Sequence, residues 1–144
     1  MLQTFSIYHD LFIHSTPSAV FKAVSEPKEL VKWWPVECSG LPQKGEVYRF
    51  YFGPEYDWYG KVTELEQDHS FYIKMTRSDK DWDPTGFGFT FVQQDDSVWV
   101  QFSHTGWEAC NPHFERTSYC WANLLRGLKN YVEKGEIIPF EERE

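Results

Sequence analysis

The residues of this chain that could do chemistry are thinly spread, and His104 stands out among them. It ends an alternating run in which Val98, Val100 and Phe102 share its face, while Trp99, Gln101, Ser103 and Thr105 take the other. In an extended strand it therefore points inward with the apolar set. An inward imidazole, whose free form titrates near neutrality, has two uses. It can offer a polar contact or a proton to a bound molecule, or it can sit in the core as a hydrogen-bonded packing residue. A buried polar group needs a partner whatever else it does, so the packing role comes first. His9 shares the apolar face of Phe5, Ile7, Leu11 and Ile13 and is read in the same way.

Other chemistries find less support. His104, Cys110 and His113 are interrupted by Gly106 and Pro112, and their spacing is not that of a convergent zinc set. No G-x-S-x-G elbow is present, and Cys120, beside Trp121, reads as a small packing residue. The carboxylates gather in Asp79-Lys80-Asp81-Trp82-Asp83 and Asp95-Asp96. These read as solvated turns and lack the ligand series of a calcium loop. No glycine-rich phosphate cradle occurs. The expectation is no metal, no cofactor and no catalytic residue. The aromatic side chains offer more: Trp33, Trp34, Trp58, Phe89 and Trp121 could line one cavity, or could close into an ordinary core.

The elements that must position these residues are legible from periodicity. Thr4 to His14 alternates as a strand. Ser15-Thr16-Pro17 supplies a hydroxyl cap and a proline at the first helical position, opening a short helix with Val20, Phe21 and Val24 on its buried stripe. Pro27 stops it and opens a second helix, Lys28 to Trp34, which Pro35 ends. From Gly45 the chain reads as an antiparallel meander. Tyr48, Phe50 and Phe52 share one face, Trp58 and Val62 lie on the next strand, then Phe71, Ile73 and Met75. After a polar loop, Ser78 to Thr85, come Phe87, Phe89 and Phe91, and then the strand of His104, which Gly106 breaks. Asn111-Pro112 leads into a long helix, His113 to Lys134. Its residues Phe114, Thr117, Trp121, Leu124, Leu125, Leu128 and Val132 recur at three and four and so fall on one stripe. The order predicts an α+β fold of about six antiparallel strands, curved around the C-terminal helix. Two short helices after the first strand separate it from a lipocalin barrel.

At 144 residues one domain, 1–144, is the simplest organisation. The net charge of −8 argues against nonspecific binding to nucleic acid or anionic membranes. Cys38, Cys110 and Cys120 are odd in number and form no C-x-x-C pair. No apolar run reaches the ~18 residues of a membrane span. Met1-Leu2-Gln3-Thr4 carries no leader pattern, and Glu141-Glu142-Arg143-Glu144 reads as a solvated tail. A cytoplasmic protein with reduced thiols is expected.

Three stretches carry a family resemblance. The first runs from Ser15 to Val24 and continues with Pro27-Lys28-Glu29-Leu30 and Trp33-Trp34. The second is Gly60-Lys61-Val62-Thr63-Glu64-Leu65. The third is Phe102-Ser103-His104-Thr105-Gly106-Trp107, joined by Trp121 and Leu128 to Gly135. Together they resemble the SRPBCC (START-like, helix-grip) superfamily, and within it the AHSA-type branch, related to an activator of a heat-shock chaperone ATPase. The resemblance implies a helix-grip fold with a cavity between sheet and helix, and puts Trp34 at the cavity mouth. Superfamily members include lipid and steroid carriers, polyketide cyclases and oxygenase subunits, so fold does not fix function. The expectation is a binding protein for an apolar or aromatic small molecule, monomeric or dimeric. Its candidate cavity-lining residues are Trp34, Tyr48, Trp58, Phe89, Phe102, His104, Trp121 and Leu125. A chaperone-associated stress-response module is the alternative, and a cyclase- or hydrolase-type enzyme the second.

Overall fold

A computed structural model describes residues 3–143. Met1 and Leu2, the start of the stretch read for a leader, and Glu144 of the tail lie outside the described residues.

Strand β1 (Phe5–Ile13) is followed by helices α1 (Pro17–Ser25) and α2 (Pro27–Leu30). Then come β2 (Glu37–Ser39), β3 (Val47–Gly53), β4 (Tyr56–Glu66), β5 (Ser70–Arg77), β6 (Gly86–Gln93) and β7 (Val98–Trp107), and last helix α3 (Pro112–Lys134). All seven strands form one antiparallel sheet in the order β1-β7-β6-β5-β4-β3-β2. The first strand thus crosses over to pair with the last, and the curved sheet wraps α3 in a helix-grip arrangement. The seventh strand, β2, adds to the six read from periodicity. Its three residues, Glu-Cys-Ser, are too few to display a period.

The helices end where local chemistry ends them. The Thr16 hydroxyl accepts from Ala19 N at 3.2 Å, with Pro17 in the first turn. At α3 the Asn111 carboxamide accepts from Phe114 N at 2.9 Å, and Gly135 closes the far end at φ 72°, a left-handed position that glycine adopts without steric cost. At ~1.5 Å per residue α3 spans about 34 Å, and it buries Thr117, Trp121, Leu125 and Leu128. Helix α2 is shorter than expected. After Leu30 the chain continues as tight turns, with Trp34 N bonding Leu30 O at 2.9 Å, because Pro35 prevents a helical exit.

Gly106 does not break β7. It takes φ +89° and inserts an extra residue, so that Phe5 pairs with Trp107 and Ile7 with His104. The bulge returns Trp107 to the inner face beside His104. A Cβ at Gly106 would stand 2.8 Å from the Pro84 carbonyl oxygen, so both the dihedral and the space require glycine.

The tail also departs from expectation. Phe140–Glu142 is a short 3-10 turn. Arg143 then donates to Ile138 O at 2.8 Å and to Val31 O at 2.9 Å, with longer contacts to Trp34 O and Pro35 O. Arg143 thus anchors the tail against the turn that carries Trp34.

Candidate ligand cleft

Most of the space between sheet and helix is filled. Trp121 is 1 % exposed and meets Phe102 at 4.4 Å, Trp34 at 4.9 Å and Phe87 at 5.6 Å between ring centroids. Its indole Nε1–H donates to His104 Nδ1 at 3.0 Å. An indole nitrogen can only donate, so Nδ1 carries no proton and His104 is the neutral Nε2–H tautomer. That Nε2–H donates to Thr85 Oγ1 at 2.8 Å, and the Thr85 hydroxyl donates to Trp82 O at 2.6 Å. The relay runs in one direction, and both ring nitrogens are engaged. Burial, with a smaller contribution from His113, pushes the His104 pKa down to about 3. This imidazole holds the helix to the sheet and has no free nitrogen for a ligand or a proton.

Among the open spaces along α3, one is walled mainly by aromatic rings. A cleft of about 310 Å³ lies between the N-terminal half of α3, the β3–β4 hairpin and the 78–85 loop. Trp34, Phe52, Tyr56, Trp58, Trp82, Trp121 and Leu124 supply its apolar walls. His113, Arg116, Thr117 and Cys120 enter from α3, spaced so that they follow one helical face. Trp58 meets Trp82 at 4.8 Å in a tilted contact and Phe52 at 5.5 Å edge to face, making an aromatic side. Trp121 is shared: one edge is bonded into the core and another part floors the cleft.

Of the residues singled out from sequence, Trp34, Trp58 and Trp121 come together here. Tyr48, Phe89, Phe102, His104 and Leu125 lie in the packed interior, away from the cleft walls. Tyr48 is fully buried and its hydroxyl donates to Ser25 O. Phe89 packs on Trp33 and Phe102. A strand face alone identifies inward residues. It does not say which of them a helix will cover.

Trp82 is the wall residue that sequence reasoning missed. Its charged neighbours read as a solvated turn, yet Trp82 is 6 % exposed. The loop folds on itself to deliver it: Asp79 Oδ1 accepts from Trp82 N at 2.8 Å, and Asp83 Oδ1 accepts from Ser78 N at 2.6 Å. His113 pins the loop to α3 by bonding Asp81 Oδ2 at 2.8 Å, with Asp79 Oδ2 at 3.7 Å from its other nitrogen. A tryptophan amid aspartates was itself the available signal, since so large an apolar surface seeks cover. The Trp82 Nε1–H is buried and has no hydrogen-bond partner among the described residues.

Among the described residues no group of three or more His, Cys, Asp or Glu is placed to hold a metal ion. Burial pushes the Cys38 thiol up to about 12, far from the range of a reactive thiolate. No helix among them is long and apolar enough to cross a membrane.

Comparison with known proteins agrees with the architecture. Residues 14–133 match the family described as Activator of Hsp90 ATPase homolog 1-like protein. The Aha1 dimer from Colwellia psychrerythraea superposes with a TM-score of 0.84 at 24% identity, over 92% of this chain and 98% of that one. Protein SSP2350 from Staphylococcus saprophyticus gives 0.79 at 15% identity, over 94% and 96%. CalU16 from Micromonospora echinospora gives 0.72 at 15%, over 96% and 82%. These likenesses establish a shared fold. No curated protein matches the chain significantly.

Proposed function

For a chain that belongs to the Activator of Hsp90 ATPase homolog 1-like family, we propose a role as a small-molecule binding protein that holds an apolar or aromatic ligand in the cleft. The observation that carries this reading is the tryptophan-walled space of about 310 Å³ beside an otherwise filled interior. Ligand pockets run from ~300 to ~1,000 Å³ and are mostly apolar with a few polar groups, so this one suits a compact ring system. Binding needs no covalent step, and the protein would work in the cytoplasm with its cysteines reduced.

The test is thermal unfolding against a library of lipids, flavonoids, steroids and aromatic acids. A ligand at 100 times its dissociation constant that binds only the folded state adds about 2.7 kcal/mol. A reproducible rise confined to one chemical class is expected, and a flat response across the library would overturn the reading.

A second reading, a chaperone-associated module, is favoured by the family description and by the likeness to an Aha1 dimer. Its test is whether the protein raises the ATPase rate of Hsp90, and whether that effect survives W58A, which removes one wall of the cleft. An enzyme of cyclase or hydrolase type would need a proton carrier other than His104, because both its nitrogens are occupied.

A further inference from the structure

We infer that the cleft selects an aryl carboxylate, with the ring system against the tryptophan walls and the carboxylate on the Arg116 guanidinium. The inference rests on the cleft being a ligand site and goes further by assigning the ligand's charge. It starts from an imbalance. The chain carries 22 acidic residues against 14 basic ones, yet no carboxylate lines the cleft among the described residues, while Arg116 does.

The exposed Arg116 guanidinium makes neither an ion pair nor a side-chain hydrogen bond with any described residue. Arg49 forks onto Asp57 at 2.8 and 3.0 Å and Lys129 pairs with Glu133 at 3.0 Å, whereas Arg116 is set beside aromatic rings with no carboxylate in the cleft lining. Of the acids beside lining residues in sequence, Asp57 is held by Arg49, Asp81 by His113, and Asp83 by Ser78.

The polar chemistry points the same way. A guanidinium only donates, so a lining that carries Arg116 and no carboxylate is complementary to a ligand that accepts. A planar carboxylate fits the guanidinium fork through two parallel hydrogen bonds.

The experiment uses the intact protein and two uncharged-body probes of one shape, naphthoate and naphthamide, followed by calorimetry at low salt. Naphthoate should bind about tenfold more tightly than naphthamide, the scale of one charge-assisted contact. R116Q should remove that preference while naphthamide binding stays the same, and R116K should restore part of it. Circular dichroism checks that each variant folds. Equal binding of the two probes to the native protein would overturn the charge assignment and leave the cleft standing. A naphthoate preference that persists in R116Q would overturn the role of Arg116. If neither probe binds, and W58A behaves as the native protein does, the cleft reading itself fails.

Discussion

The interior and the cleft share Trp121 and are both built from aromatic rings, yet among the described residues only the cleft carries a charged side chain in its lining. In the interior every polar atom of the central relay has a partner: Trp121 Nε1 with His104, His104 with Thr85, and Thr85 with the Trp82 carbonyl. On the cleft side the exposed Arg116 guanidinium is unpaired among the described residues. Buried indole nitrogens without a partner occur in both regions, at Trp82 and at Trp107. The charge at the cleft, and not aromatic content or unmet hydrogen bonds, therefore separates the receptive region from the packed one.

The contrast is broken most severely at Trp121. W121A should destabilise the fold by roughly 3–5 kcal/mol through lost burial and a residual cavity, read as a lower denaturation midpoint. An unchanged midpoint would mean that Trp121 belongs to the cleft and not to the interior. Acid comes next. Unfolded His104 takes up a proton near its ordinary 6.5, whereas the folded residue resists to about 3. Between those values the unfolded chain binds more protons, so acid favours unfolding. The stabilisation is whole above 6.5 and is lost on descending through this window, at about 1.4 kcal/mol per pH unit. Denaturant melts at stepped pH measure the slope, and its reduction in H104Q assigns it.

W58A sharpens the comparison from the other side. Trp58 is only partly buried, so its loss should cost about 1–2 kcal/mol, less than an interior tryptophan. It should weaken cleft binding far more than W121A-like stability losses would predict, as titration of a bound probe would show. R143A gives the smallest effect. Removing its contacts to Val31 and Trp34 carbonyls should cost about 1 kcal/mol and speed hydrogen exchange in the 31–35 turn. Unchanged exchange there would show that the tail does not steady Trp34.

The strands and α3 were legible because each repeats a period long enough to see. Val98 to His104 alternates over seven positions and α3 keeps one stripe over six turns, so side-chain direction follows from backbone geometry alone. Strand β2 was hidden by its brevity. It pairs with β3 only because Glu37 meets Tyr51 and Cys38 meets Phe50 across the sheet. Trp82 was hidden by its neighbours, whose charges describe the outside of the loop and not the ring it turns inward. Arg143 was hidden because a basic residue among acids near a terminus has no local reason to fold back.

The amino-acid sequence by itself therefore determined the strand faces, the helix caps, the buried stripe of α3 and the inward direction of His104. These depend on neighbours a few residues away, and local stereochemistry decides them. Tertiary structure alone decided that His104 is spent on Trp121 and Thr85, that Gly106 bulges and returns Trp107 to the core, and that Trp34, Trp58, Trp82 and Arg116 meet around one cleft. Those residues come from four separate segments. Which of them close against one another, and which leave room, depends on the fit of whole surfaces, and no local period encodes it.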